Sequence, residues 1–240
     1  IIGANILADN DNPRPFSIRT GYRNYLWYIL NTAGFSSDFV GTQVAGQDII
    51  PIFDTDHEGH RGWHSHAIAE KTYEYMLYSA PDIVLLHIGT NDYSSSVAGV
   101  ESILNTIDFY ESVSGHSIRV LVAKIIDNAS PSEIIRNFNT NIQSLVTSRI
   151  LDGDNITLVD MYKGAGLQSS DYIDMIHLND SGNYKIANVW ANIIMTPYTF
   201  NPELAIFPTT LLPKNYIQSI NIDSNTIEFI TSIPADGITF

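Results

Sequence analysis

The chain predicts an α/β fold: a three-layer, flavodoxin-like α/β/α arrangement around a parallel sheet, with a β-rich C-terminal extension. Three observations carry this. Short apolar runs alternate with helix-period segments from the first residues to about residue 195. One run, Asp82–Ile88 (DIVLLHI), is apolar almost throughout and bounded by Pro81 and Gly89, as a strand buried on both faces requires. Beyond Pro197 the helical period stops, and prolines separate it from strand-like alternation. The expected organisation is therefore one domain over 1–197 and a β extension, or the start of a further module, over 198–240.

In order, Ile1–Gly3 reads as the end of a short buried strand. Residues 8–20 are a polar loop containing Pro13 and Pro15. Tyr22, Leu26, Ile29, Leu30 and Ala33 recur at helical spacing, and Gly34 ends that helix. Asp38–Thr42 (DFVGT) reads as a short strand, 43–66 as a long loop and 67–79 as a helix. After the DIVLLHI strand, 97–113 is helical and Ser117–Ile126 (SIRVLVAKII) is the next strand. Residues 132–149 place Ile135, Phe138, Ile142, Leu145 and Val146 on one helical face. Asn155–Asp160 (NITLVD) is a further strand. A helix over 180–194 packs Ile186, Val189, Trp190 and Ile193. In the extension, Ser219–Ile230 reads as two strands turning at Asp223-Ser224-Asn225. In such sheets ligands bind outside the carboxyl ends of the strands.

Composition narrows the function classes. The chain of 240 residues, 44% hydrophobic, can bury a sizeable core. It has no cysteine, which excludes a disulfide framework and any cysteine metal site. Asp and Glu number 26 against 12 Lys and Arg, a formal charge of −14, and phosphate backbones are repelled by such a surface. Nucleic acid is therefore not expected as a partner. No apolar run approaches the roughly 20 residues of a membrane span. The acidic balance and scarce lysine suit an extracellular or cell-surface protein. No signal-like segment is visible, and opening on Ile1 reads as an excised or processed segment of a larger chain.

Candidate chemistry centres on Asp174-Met175-Ile176-His177. A carboxylate three residues before an imidazole, in a loop, brings the two within hydrogen-bond reach. The Asp can then fix the ring's tautomer and stabilise its protonated form. Alone the pattern is common, and a surface Asp beside a helix-capping His reads equally well. Gly89-Thr90-Asn91-Asp92 follows the strongest strand. Asn91 there is either a turn residue or a carboxamide donor to an oxyanion. Residues Asp54–His66 hold four of the seven histidines. A metal site from His57, His60, His64, His66 and Asp56 is one reading, although the HExH spacing is not that of zincins. A loop shaping a crevice, with Gly62 offering a backbone N–H, is the other.

In this order, a glycine after the first strand, then EGHRGW, GTND and DxxH, the blocks resemble the SGNH (GDSL) hydrolases. DHEGHRGW and DMIHLNDSGNYKIANVW are most similar to carbohydrate esterase family 3, the acetyl xylan esterases. The resemblance covers about residues 1–195. It implies a serine esterase site without cofactor or metal. Gly62 and Asn91 match the oxyanion donors, and Asp174 and His177 match the pair that activates the nucleophile. The first block departs: the family's Gly-Asp-Ser is Gly3-Ala4-Asn5 here. Asn5 stands at the position of the nucleophile, whose backbone N–H is also an oxyanion donor. A carboxamide nitrogen is a very poor nucleophile, because its lone pair is delocalised. Loss of a triad nucleophile costs on the order of 10⁶ in turnover. Ser17 and Ser181 are possible substitutes, but neither follows a strand end.

Two functional expectations follow. One is an impaired esterase that keeps the crevice and binds acetylated polysaccharide or other carbohydrate, or acts as a scaffold. The other is an active carbohydrate or acetyl esterase using a non-standard nucleophile or a His-activated water.

Overall fold

A computed structural model of the chain describes residues 2–3, 15–196, 217–223 and 226–231. The chain divides into two compact units, Ile1–Tyr198 and Thr199–Phe240. In the second, β7 (Ile217–Asp223) and β8 (Thr226–Thr231) form an antiparallel hairpin in which Asp223 faces Thr226. The first unit has the three-layer α/β fold.

Its sheet runs β2-β3-β1-β4-β5-β6. The strands are β1 (Ile2–Gly3), β2 (Gln43–Val44), β3 (Asp56–Gly59), β4 (Ile83–His87), β5 (Arg119–Lys124) and β6 (Ile156–Asp160). All pairings are parallel except β2 with β3. Gly3 lies level with Gly59 on one side and His87 on the other, so β1, β3 and β4 end together. The parallel crossovers carry helices, which cover both faces.

The period-2 alternation of β4 decides which side chain meets which layer. Val84, Leu86 and Ile88 are buried against α2 (Ser65–Ser79), α3 (Ala98–Ser114) and α4 (Glu133–Leu151). Leu85, with Leu121 and Val159 of the neighbouring strands, meets α1 (Arg23–Thr32) and α5 (Asp180–Met195) on the opposite face. Trp190, Phe138, Leu26, Ile103 and Ile107 are almost completely buried. Each such side chain stabilises the fold by about 1.5–3 kcal/mol. The guanidinium of buried Arg23 donates to the carbonyls of Ala45 (2.9 Å) and Thr55 (2.8 Å), tying α1 to the segment before β3.

Two expectations are corrected here. Residues Asp38–Thr42 do not form a strand; the pairing segment is Gln43–Val44. And 43–66 is not one loop, because it contains β2 and β3. The reason is side-chain satisfaction of the backbone. Asp54 Oδ2 accepts from Phe39 N (2.6 Å), and the Glu58 carboxylate accepts from both Thr42 N and Thr42 Oγ1 (2.8 Å each). The 38–42 backbone is thus bonded to carboxylates instead of to a ladder.

His87 closes β4 on the α1/α5 face, in edge contact with Trp190 (ring centroids 6.4 Å). It is buried, and among the described residues neither ring nitrogen has a hydrogen-bond partner. Burial pushes its imidazole down to about 4. The folded state therefore refuses a proton that the unfolded chain accepts below its ordinary value near 6.5. This lowers stability as pH falls from about 6.5 towards 4, by on the order of 2–3 kcal/mol. Urea unfolding at pH 7 and pH 4 should show that His87→Leu removes this part of the acid sensitivity and costs little at pH 7. An unchanged difference between the two pH values in the variant would contradict this account.

Candidate functional site

The loops leaving the carboxyl ends of β3, β4, β5 and β6 build the site. The turn after β4 holds the most sequence-specific geometry. Gly89 has φ +125°, and a Cβ there would stand 2.3 Å from the Phe138 ring, so no larger residue fits. Thr90–Asp92 then forms a single 3-10 turn. Asn91 is buried and its Nδ2 donates to the Trp63 carbonyl (3.1 Å). Asp92 accepts from Ser65 N (2.8 Å) through Oδ1 and from Ser65 Oγ (2.5 Å) through Oδ2. A carboxylate on the first turn of α2 also matches the positive end of the helix dipole. Asn91 and Asp92 thereby join the turn after β4 to the segment after β3.

That segment, His60-Arg61-Gly62-Trp63, turns with Gly62 at φ +78°. Open space surrounds the position a Gly62 Cβ would take, so the left-handed backbone rather than crowding calls for glycine. Behind the turn, His60 Nε2 bonds Glu58 Oε1 (2.5 Å). The His60 ring stacks on Trp63 (4.4 Å) and on Tyr75 (5.3 Å). Burial pushes the Glu58 carboxyl upward, but the bonds from His60 and Thr42 outweigh this and hold it below its usual value. His57 Nδ1 accepts from Gly59 N (3.0 Å), and burial, then the Arg23 charge, pushes its imidazole down to about 2. His64 stacks with His66. The ring nitrogens of His57 and His60 that have partners are thus engaged within the protein. Among the described residues no three His or carboxylate groups converge as metal ligands would.

The Asp174–His177 loop is a small closed unit. Tyr172 bridges Leu178, and Ile173 N donates to the His177 carbonyl (2.8 Å). Asp174 Oδ1 accepts from Ile176 N and His177 N (2.7 Å each), while Oδ2 accepts from His177 Nδ1 (2.6 Å). Burial would raise this carboxyl, but the imidazole and the two backbone N–H groups hold it down to about 2. With Nδ1 on the carboxylate, Nε2 is the ring atom pointing away from the pair, the arrangement a general base needs. The loop is docked on the segment after β5: Ala129 N donates to the Met175 carbonyl (2.9 Å), and Tyr172 Oη donates to the Asp127 carbonyl (2.7 Å). Gly89 and Thr90 share a cavity with Ile176, which puts the GTND turn and the DMIH loop on one crevice.

Asn5, the candidate at the nucleophile position, lies outside the described residues. Of the serines weighed as substitutes, Ser181 donates to Asp171 Oδ1 (2.9 Å) in a network with Lys185, and Ser17 lies in a 3-10 turn over Phe16–Ile18. Sequence reasoning missed Asp92, Glu58 and Asp171. A capping signature for α2 was not available to it, because the carboxylate comes from 27 residues downstream.

No protein-family model matches the chain. Its fold is similar to that of a carbohydrate esterase family 3 protein from Talaromyces cellulolyticus: 25% identity, TM-score 0.64, covering 81% of this chain and 96% of that one. A family 3 carbohydrate esterase from Clostridium thermocellum is 27% identical with TM-score 0.64, over 80% of this chain and 92% of that one. Among curated proteins, a multidomain esterase of Ruminococcus flavefaciens is 26% identical over 200 residues, 71% of this chain and 25% of that protein. The chain therefore spans about a quarter of the length of that relative. The fold is that of the SGNH hydrolases, and the likeness is to carbohydrate esterase family 3.

The bonds around Asp174 make a pH prediction. Its folded value is depressed, so its contribution to stability is present above the ordinary carboxylate value near 3.8 and is lost as pH falls through about 2. Carbon-detected NMR titration should find this carboxyl titrating near 2. In His177→Ala it should move up, yet stay below its ordinary value, because two backbone N–H groups remain. An unchanged titration in that variant would show that the imidazole is not bonded to it in solution.

Proposed function

We propose that the chain is a carbohydrate esterase-like SGNH domain in which acyl transfer is impaired and binding of acetylated carbohydrate is retained. Asp174 is read as the orienting carboxylate and His177 as the base. Gly62 and Asn91 are read as oxyanion donors, with the backbone N–H of Asn5 as a third. The observation that carries the reading is the Asp174–His177 pair, with its 2.6 Å bond at Nδ1, on the same crevice as the GTND turn. The likeness to carbohydrate esterases supports the ligand class. The acidic balance of the chain suits an extracellular or surface setting.

In a working site of this kind the imidazole Nε2 takes the proton of a hydroxyl as its oxygen attacks an ester carbonyl. The carboxylate stabilises the imidazolium, and the donors receive the oxyanion. The imidazolium then returns the proton to the leaving alcohol, and water repeats the sequence to release the acid. Every part has a candidate here except the first. The Asn5 carboxamide has no proton that an imidazole removes near neutral pH, so no acyl-enzyme forms. Asn91 already donates to Trp63, which holds its carboxamide in one orientation without reorganisation during a reaction.

The natural chain should hydrolyse neither nitrophenyl acetate nor acetylated xylo-oligosaccharides above a buffer control. Asn5→Ser should restore measurable turnover, and adding Ala4→Asp should raise it further. His177→Ala in the restored chain should abolish the gain. Turnover by the natural chain that disappears with His177→Ala would overturn the impairment and favour a His-activated water. No gain from the double restoration would move the reading to binding or scaffolding alone.

A further inference from the structure

The candidate site is built on loops leaving the carboxyl ends of the strands. At the amino end of the sheet lies a separate cavity of about 450 Å³, within the roughly 300–1,000 Å³ of small-molecule sites. Its apolar wall is made by Ile83 and Leu85 of β4, Leu30 of α1 and Ile194 of α5. Ile83 and His87 are the two ends of β4, so about 13 Å of strand separates this cavity from the GTND turn. No role assigned above uses it.

The turn after α1 supplies the polar part of the lining. Gly34, at φ +83°, reverses the chain, and Phe35 N donates to the Leu30 carbonyl (2.9 Å). Phe39 N donates to Asp54 Oδ2 (2.6 Å), so the segment is fixed at both ends. Between these bonds, Phe35 and Asp38 line the cavity, Phe35 being 43% exposed. The charge here is of one sign. Asp38 and Asp82 are the charged residues on the lining, with no Lys or Arg among the described residues there. Asp82 has His116 Nε2 at 3.5 Å, whereas the Asp38 carboxylate has no hydrogen-bond or ion-pair partner among the described residues. Helices α1 and α2 also end at this cavity, with no basic residue in either last turn. Their carbonyl ends add a negative potential that no cation on the lining offsets. Helix α5 ends there too, but Arg119 already donates to its Ile193 carbonyl (3.3 Å).

We propose that this cavity binds a small organic cation: an ammonium group on a compact hydrocarbon or aromatic body. The ammonium donates to the Asp38 carboxylate and stands against the Phe35 ring, whose negative face attracts a cation. The body lies on Leu30, Ile83, Leu85 and Ile194. A neutral molecule of the same shape leaves the carboxylates and helix ends unmatched, and an anion is repelled by them. The combination matters, because an exposed carboxylate alone holds a hydrated ion only weakly. The cavity takes no part in ester chemistry, so such binding is independent of the proposed function.

The test is NMR of the natural chain with isoleucine and leucine methyl labels. It is titrated with phenethylammonium, neutral phenylethanol and anionic phenylpropanoate, three probes of one shape. The Ile83, Ile194 and Leu85 methyl signals should shift with phenethylammonium at millimolar concentration, while Ile176, beside His177, stays in place. Phenylethanol should bind about tenfold more weakly, having no charge for the carboxylate, and phenylpropanoate should not bind. Asp38→Asn should weaken phenethylammonium about tenfold and leave phenylethanol nearly unchanged. Phe35→Leu, which keeps an apolar side chain and removes the ring, should weaken the cation about threefold. Melting curves check that both variants are folded, and the comparison of the three probes on the natural chain needs no substitution. Equal affinity for the neutral probe, or binding of the anion, overturns the cation class. Phenethylammonium that binds Asp38→Asn as tightly as the natural chain overturns the carboxylate anchor. Shifts at Ile176 without shifts at Ile83 and Ile194 overturn the site, as does the absence of any shift with phenethylammonium.

Discussion

The arrangement of the crevice depends on one junction: Asn91 and Asp92 holding Trp63 and Ser65. Two adjacent side chains of a single turn reach the loop before α2 and fix both its carbonyl and its first helical N–H. Gly62 sits between the residues that this junction and the His60 stack hold in place. The contact is tight enough that a Cβ on Gly99 of α3 would stand 2.0 Å from Ser65 Oγ. Asp92, Ser65 and Gly99 therefore lock the start of α2 against α3 as well as against the turn. The carboxylate satisfies the N-terminus of α2 in place of a local cap, which His64 does not provide.

Behind the junction lies a buried acid. Glu58 on β3 is withdrawn from water, a cost of several kcal/mol for an isolated ion. Three hydrogen bonds offset it, two from Thr42 and one from His60. The same His60 is held by ring stacking on Trp63 and Tyr75. The polar interior of this corner thus consists of groups that orient one another, and removing one would leave the rest buried and unsatisfied.

This explains what was legible in the sequence and what was not. The strand Ile83–His87 and the helices around Leu26, Phe138 and Trp190 declare themselves, because their buried faces are mainly apolar and repeat at 2 or 3.6 residues. The block order Gly62, Asn91, Asp174, His177 was legible for a different reason: each residue lies at the end of a strand or in a loop at the same end of the sheet. Strand β3, Asp-His-Glu-Gly, was hidden because its buried residues are ionisable and become tolerable only through partners on other segments. The strand read at Asp38–Thr42 failed for the converse reason. Its apolar look is real, since Phe39 is buried, but carboxylates 15 or 16 residues away take its backbone N–H groups. Asp92 could be seen as a turn residue and not as a helix cap, because Ser65 precedes it by 27 residues.

The grip of Asp174 on its own loop has an evolutionary consequence. One carboxylate oxygen closes the backbone turn at Ile176 and His177, and the other holds the imidazole. A residue with two tasks is retained when one of them lapses, since its replacement would still unmake the loop. In a lineage whose nucleophile has drifted away, the DxxH signature would persist under selection for folding alone. If position 5 is the nucleophile position, as proposed, a descendant that gained a hydroxyl there would find the imidazole of His177 already oriented. Lost and recovered catalysis would then be separated by very few substitutions, and relatives of this chain on both sides of that divide would share the same acid and histidine.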